Sequence, residues 1–374
     1  MERQSTTRQI RARRAARKRR NIIIISIEML LLVMMIGILW FVTKFTDESE
    51  GVKRVEISEN DIKFNDGIRP EETNKGNLTS NEEHSSAYRT IALFGLDSTT
   101  GELIKDTRSD TIMIASVNND TKEVKLMSVY RDTYLNLGND TYNKCNTAYA
   151  KGGALQAINM LNMNLDLDIT DFVAVGFKGV MDTVNAIGGI MIDVNEEELE
   201  HINDYQLCMA EDMKINYTEV TETGYQLLDG LQAVAYCRIR HATGDDFMRT
   251  ARQREVLQAV LNKAKNFDIT TITKLVNNVF SDFYTSVDLE EILTLLKDLG
   301  SYTLIDEGGF PALEYRVNAM IGGNVGASVI CTDLEAAVTD FHERFFEKAD
   351  YKVSKSLMQI SAQIHTNTAP YIKN

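Results

Sequence analysis

The chain has 374 residues, 44% of them hydrophobic, and a formal net charge of −14. That is enough for one large domain, or two smaller ones, with a real core. Residues 1–20 hold nine Lys/Arg against Glu2 alone, about +8, so the remainder carries about −22 (−14 less +8). A folded part this acidic argues against nucleic acid as a partner.

The basic run leads into Ile22–Val42, IIIISIEMLLLVMMIGILWFV. At about 1.5 Å rise per residue this run spans roughly 32 Å, enough for the hydrocarbon core of a bilayer. Asp47, Glu48 and Glu50 follow it. The positive-inside rule then puts residues 1–21 in the cytoplasm and residues 43–374 outside. The run is longer than a signal-peptide core and no small-x-small cleavage site follows, so it reads as an uncleaved, single-pass signal anchor. Glu28 lies near its cytoplasmic end, within reach of the interface; a functional intramembrane carboxylate is the alternative.

Residues 43–87 are polar and acidic and read as an extracytoplasmic linker. A short hairpin is predicted around Val52–Phe64, where Val55, Ile57, Ile62 and Phe64 roughly alternate. The folded domain is predicted over 88–345, with a tail at 346–374. Thr90–Leu96, Thr111–Val117 and Glu123–Val129 read as strands, the last two joined by the turn Asn118-Asn119-Asp120. Asn146–Leu161 has helical spacing, Phe172–Gly176 is a strand, and Phe177–Ile187 is a helix stopped by Gly188-Gly189. Ile190–Val194 is a strand, and 195–222 a polar excursion. Gly224–Leu231 reads as a short helix leading into a strand over Val234–Ile239. Asp245–Phe267, Thr270–Phe280 and Leu289–Leu299 read as helices, with short strands near Tyr302–Ile305 and Tyr315–Val317. Strands and helices mixed without strict alternation predict an α/β domain, a mixed central β-sheet covered by helices, behind one N-terminal transmembrane helix.

Within the acidic domain, YCRIRHATGDDFMRTARQ (236–253) concentrates Arg238, Arg240, Arg249 and Arg252. A strand would turn Arg238 and Arg240 to one face at period two. Arg249, Arg252 and Gln253 would follow on a helix that Asp245 or Asp246 could cap. Such a guanidinium cluster suits a phosphate or pyrophosphate; pairing with the many carboxylates is the bland alternative. Asp97, Arg108, Asp110, Arg131 and Asp132 sit at strand ends and converge at one rim if the strands are neighbours. They would form either an inert ion-pair network or a site in which Asp97 and Asp110 hold Mg²⁺, or Mn²⁺, while arginines hold phosphate charge.

The segments RSDTIMIASVN, SVYRDTYL, YNKCNTAYAKGG, FVAVGFKGVMDTVNAIGGIMIDV and YCRIRHATGDDFMRTARQREVL, in this order over about 88–345, together resemble the LytR–CpsA–Psr family of bacterial cell-wall proteins. The resemblance implies an LCP-like fold and a membrane-anchored phosphotransferase of a Gram-positive bacterium. Such an enzyme moves a glycopolymer (teichoic acid, capsule or similar polysaccharide) from undecaprenyl pyrophosphate to peptidoglycan through a phosphodiester. It implies Asp97 and Asp110 as Mg²⁺ carboxylates and Arg108, Arg131, Arg238, Arg240, Arg249 and Gln253 as pyrophosphate ligands. Asp97, Asp110, Arg108 and Arg131 would carry catalysis, with one of the two aspartates a candidate to take the acceptor hydroxyl's proton. The polyprenyl tail would lie in an apolar channel lined by Val173, Val175, Phe177, Val180, Leu257 and Val260, each of which also suits a plain core. The implied partners are undecaprenyl-pyrophosphate-linked glycopolymer, peptidoglycan and membrane lipid. Tyr130 stands where the family commonly has proline, Cys145 replaces an apolar residue, Asn143 an acidic one, and the Ala242–Asp246 loop lacks the usual Asp-Asp-Pro.

No GxxxxGK[ST], GxSxG, HExxH or GxGxxG motif occurs. The four cysteines (Cys145, Cys208, Cys237, Cys331) show no zinc spacing, and three disulfide pairings are open to them. His241 and Lys144 are further candidates to touch phosphate. Two other functions use the same features: binding or hydrolysis of a polyprenyl pyrophosphate without transfer, and an envelope regulatory scaffold acting through the basic tail.

Overall fold

A computed structural model of the chain describes residues 53–68, 88–98, 103–104, 106–118, 120–240 and 245–372. The basic tail and the apolar span at 22–42 lie outside the described residues. Among the described residues no helix is long and apolar enough to cross a membrane.

The chain enters at β1 (Lys53–Arg54) and continues through β2 (Tyr88–Leu96), β3 (Ser109–Asn118) and β4 (Glu123–Val129). The β3–β4 turn forms as predicted: the Asn118 carboxamide accepts from the amides of Asp120 and Thr121, and Lys122 takes φ 60°. A ribbon, β5 (Tyr134–Asn136) with β6 (Tyr142–Lys144), leads to α1 (Thr147–Leu165), β7 (Asp171–Gly176) and α2 (Phe177–Ala186). A second ribbon pairs β8 (Ile190–Val194) with β9 (Gly224–Leu228) around α3 (Glu196–Met213). Then come α4 (Gly230–Arg238), α5 (Asp245–Ala264), α6 (Ile269–Val279), β10 (Phe283–Thr285), α7 (Leu289–Lys297) and β11 (Thr303–Phe310). A hairpin of β12 (Arg316–Ile321) and β13 (Gly326–Cys331), α8 (Leu334–Phe346) and α9 (Lys355–Thr368) complete the domain. The main sheet has seven strands in the order β1-β10-β7-β2-β3-β4-β11, parallel and antiparallel mixed, as predicted.

Register gives this sheet two different faces. Ala92 pairs with Ile114 and Phe172, and Phe94 with Ile112 and Ala174, so these side chains share one face. They join α1, α8 and α9 in the largest core cluster. Leu93 pairs with Met113 and Val173, and Gly95 with Thr111 and Val175, on the opposite face. At these positions the second face looks into a cavity, while farther along it Val117 packs against Ile272, Leu299 and Tyr302. A side chain at position 95 would crowd it, since an added Cβ would lie 2.8 Å from Thr111 Cβ.

Three segments depart from the sequence reading. Val234–Ile239 is not a strand: α4 occupies 230–238, and the helix expected at 224–231 is the strand β9 followed by the start of α4. The Asp229 carboxylate accepts from Gln232 N–H at 2.9 Å, and the Gln232 carboxamide accepts from Asp229 N–H at 2.8 Å. This capping box fixes a helix that is buried from Gly230 to Tyr236, and burial on all sides hides helical periodicity. The excursion at 195–222 contains α3, started by a capping box between Asn195 and Glu198. Among the described residues 53–64 no hairpin forms: β1 pairs in parallel with β10, and the following segment runs over α1. There Lys63 N–H donates to Asn159 Oδ1 at 2.8 Å, Asn65 Nδ2 to the Met163 carbonyl at 2.8 Å, and Ile62 is buried. Residues 53–68 of the expected linker therefore pack on the domain. So does α9 from the expected tail, through Leu357, Ile360 and Ile364.

His342 of α8 lies in this core. Its Nε2 donates to the Leu165 carbonyl at 2.8 Å and its ring stacks on Tyr351 at 3.7 Å. Burial holds its imidazole below the ordinary 6.5, at about 4. The folded state thus binds fewer protons than the unfolded one between those values. The resulting stability is fully present above pH 6.5 and is lost as pH falls through 4. Denaturant titrations should show wild type losing about 3 kcal/mol across that window. A His342→Gln variant should show a flatter profile, and equal slopes would mean that His342 is not buried as a neutral ring.

Candidate active site

The cavity has a volume of about 520 Å³ and lies between the second sheet face and α2, α4 and α5. Its walls include Leu93, Met113, Val234 and Val256, together with Val173, Val175, Phe177, Val180, Leu257 and Val260. The last six are the residues expected to line an apolar channel, and all of them do. Its polar end is formed by Asp97, Asp110, Arg238, Arg240, Arg249 and Gln253. Six of the predicted site residues are thus brought to one place.

Local structure explains how. Asp97 and Asp110 sit at the paired ends of β2 and β3, where Asp97 N–H donates to the Arg108 carbonyl at 3.2 Å. Arg238 is the last residue of α4, and its guanidinium lies over the Phe177 ring at 4.5 Å. Ile239 then leaves the helix with ψ 124°, which carries Arg240 toward Asp110. The backbone N–H of Arg240 donates to the Tyr205 hydroxyl at 3.2 Å. Arg249 and Gln253 are one helical turn apart on α5.

Asp110 is the centre of the cluster. Arg131 Nη1 lies 2.9 Å from both its carboxylate oxygens, Arg240 Nη2 donates to Oδ2 at 3.0 Å, and Arg249 Nη1 lies 3.9 Å from Oδ2. Arg249 Nη2 donates to the Asp110 backbone carbonyl at 3.2 Å. Asp246 adds a second carboxylate, 3.2 Å from Arg131 Nε and 3.3 Å from Arg249 Nη1. Asp132 lies 3.4 Å from the same Arg131 Nε and 3.0 Å from Lys144 Nζ. Lys144, a candidate phosphate contact, is paired with Asp132. Arg131 meets the cavity only through Asp110, and Arg108 is exposed at the strand edge.

Arg249 is only 2% exposed, yet among the described residues its Nε makes no hydrogen bond and its Nη1 meets Asp246 and Asp110 only as ion pairs, while Gln253 Oε1 receives no hydrogen bond. Buried donors without partners are costly and favour an incoming anion. Burial also pulls the Arg249 guanidinium below its ordinary pKa. Burial opposes the charge on Arg131 too, but Asp110, Asp246 and Asp132 outweigh it and raise the pKa. Burial would raise Asp246, yet Arg249 and Arg131 hold it below the usual range. Asp132 is raised by burial and by its hydrogen bond to Asp246, so it is the member of that pair inclined to keep a proton.

One arginine of the stretch lies elsewhere. Arg252 is buried against Glu198, with Nε donating at 2.7 Å, and takes no part in the cluster. His241 lies outside the described residues. Asp246 and Tyr205 were missed as site residues. The i, i+3 spacing of Asp246 and Arg249 signalled the first, whereas Tyr205 sits in the helix read as an excursion. Cys237 lines the cavity wall, and burial pushes its thiol up to about 12. All four cysteines are free.

A model of the LytR_cpsA_psr family matches residues 50–324. The polyisoprenyl-teichoic acid–peptidoglycan teichoic acid transferase TagU of Enterococcus faecalis is 28% identical over 228 residues, 60% of this chain and 68% of the relative. Biofilm regulatory protein A of Streptococcus mutans is 29% identical over 237 residues, 58% of this chain and 56% of the relative. Among solved structures, a Streptococcus agalactiae protein superposes with TM-score 0.58 at 25% identity, over 72% of this chain and 91% of that one.

The separation of Arg252 from the cluster is testable. Glu198→Ala leaves a buried guanidinium unpaired and should cost about 3 kcal/mol in denaturant unfolding. Its affinity for inorganic pyrophosphate in calorimetry should stay within twofold of wild type. A large loss of that affinity, with unchanged stability, would return Arg252 to the anion site.

Proposed function

The chain belongs to the LytR_cpsA_psr family, and we propose that it is a transferase moving teichoic acid or a related glycopolymer from a polyisoprenyl diphosphate to peptidoglycan. One observation carries this reading: a cavity with apolar walls ends in a buried cluster of arginines. A lipid diphosphate needs both parts, an apolar slot for its tail and several cationic donors for its head. A soluble nucleotide or sugar phosphate would not need the slot.

In this reading the diphosphate draws Arg131, Arg240 and Arg249 from Asp110 onto its own oxygens, with Arg238 and Gln253 beside them. Fixed guanidiniums stabilise the charge that spreads over the transferring phosphoryl group. Arg108, exposed at the rim, would meet the head group from the solvent side. Asp97 and Asp110 fit a hard divalent cation, since two neighbouring carboxylates plus phosphate oxygens are an ordinary Mg²⁺ or Mn²⁺ donor set. Among the described residues no group of three acidic, His or Cys side chains could hold a metal unaided, so phosphate would complete the set. Bound there, the ion would neutralise charge on the diphosphate. Asp97, exposed and without an ion pair to another described residue, is the better placed of the two aspartates to orient the acceptor hydroxyl and take its proton. The basic run before an apolar span at 22–42 supports a domain held outside the cytoplasmic membrane, where carrier and peptidoglycan meet.

The test uses the full chain in lipid nanodiscs with a polyprenyl-diphosphate-linked disaccharide, Mg²⁺ and uncrosslinked peptidoglycan glycan. Mass spectrometry should find a new sugar phosphodiester. Arg240→Ala, half-exposed and therefore tolerated by the fold, should lower its rate by about a hundredfold or more. Free sugar phosphate without adduct would replace transfer by hydrolysis. Full activity in Arg240→Ala would remove the arginine cluster from the reaction.

A further inference from the structure

Three side chains outside the anion cluster meet where its two halves join. Tyr130 precedes Arg131 at the end of β4, and Phe247 follows Asp246 in the first turn of α5. Their rings meet edge to face, with centroids 4.7 Å apart. The Arg316 guanidinium, at the start of β12, covers both, 3.8 Å from the Phe247 centroid and 4.7 Å from the Tyr130 centroid. Arg316 Nη1 also donates to the Pro311 carbonyl at 3.1 Å. Tyr130 is fixed from behind as well. It is buried, and its N–H donates to the Phe310 carbonyl at 3.1 Å. Its ring lies on Gly309, where an added methyl group would overlap it.

We propose that Tyr130, Phe247 and Arg316 form a clamp that positions the first turn of α5, and with it Asp246 and Arg249, against Arg131 and Asp110. The role of the clamp in binding rests on the diphosphate reading given above. The ion pairs of the cluster cannot fix that geometry alone. An arriving diphosphate competes for the same guanidiniums, so the pairs joining β4 to α5 loosen when substrate binds. Aromatic packing and a stacked guanidinium are not displaced by phosphate in this way. They hold the two elements together while the arginines change partners. Displacing a binding group by about 1 Å is enough to lose most of its effect. Tyr130, Phe247 and Arg316 are thus positioning residues, not ligands of the head group.

The experiment uses the full chain, with geranylgeranyl diphosphate as probe in calorimetry and hydrogen exchange of the backbone amides of 246–250 as a second readout. Tyr130→Ala should weaken probe binding about tenfold or more and speed exchange at 246–250, leaving exchange in α1 unchanged. Tyr130→Phe keeps the ring and should restore both readouts to within about twofold. Gly309→Ala displaces the ring without touching the cluster and should behave like Tyr130→Ala. Wild-type affinity and exchange in both alanine variants would overturn the clamp. So would protection lost evenly over the whole domain, since the ring would then serve stability alone. If wild type itself fails to bind the probe, the diphosphate reading falls, while the exchange at 246–250 still decides the clamp.

Discussion

A single carboxylate, Asp110, stands among three guanidinium groups drawn from separate parts of the chain. Arg131 follows the end of β4, Arg240 the exit of α4, and Arg249 opens the second turn of α5. Like charges so close, one of them almost fully buried, would repel one another without an anion between them. Asp110 supplies it, with Asp246 and Asp132 behind. Removing one member of such a buried network is costly, because the others keep their charge but lose their partner. In the proposed reaction an incoming phosphate would take the place of this central carboxylate. The same exchange would free Asp110 to meet a cation.

The sheet makes this possible by leaving part of its second face unfilled. Alternation along β2, β3 and β7 sends Phe94, Ile112 and Phe172 to the side packed by α1, α8 and α9. The residues between them face the cavity. Beyond the cavity the second face is packed as well, with Val117 buried against Ile272, Leu299 and Tyr302, so the unfilled apolar space is confined to one end of it. A protein that filled both faces would gain burial and lose the channel.

Much of this was legible in the sequence. Asp97, Asp110, Arg238, Arg240, Arg249 and Gln253 do converge, and the apolar channel has the expected lining. The strands were readable because β2, β3 and β4 are short apolar runs and the β3–β4 turn carries Asn-Asn-Asp. What was misread has a common cause. α4 is buried all round, so its sequence has no polar face to reveal a helical period, and Val, Tyr, Cys and Ile there resemble a strand. The discriminating signal was the Asp229-x-x-Gln232 capping box, which is local and chemical rather than periodic. The distinction between Arg249 and Arg252 was beyond reach by spacing alone. It depends on which side of α5 meets Glu198, and α3 was not recognised as a helix.

α5 joins the polar end of the cavity to its apolar wall. Arg249, Gln253, Val256, Leu257 and Val260 all line the cavity and recur at helical spacing, so one stripe runs from charge to apolar surface. Over those residues the helix advances about 16 Å. A rotation of the helix would withdraw the arginine and the apolar wall residues together, so its orientation about its own axis has to be fixed. Two other arginines do this from outside the stripe. Arg252 is locked to Glu198 of α3, and Arg254 donates to Asp306 at 2.6 Å and to Ser128 at 2.8 Å, tying the helix to β11 and β4. Buried ion pairs of this kind add little net stability over apolar packing, but they tolerate few alternative orientations. Arginines within one helical turn and a half thus divide the work, Arg249 facing the cavity while Arg252 and Arg254 hold it there.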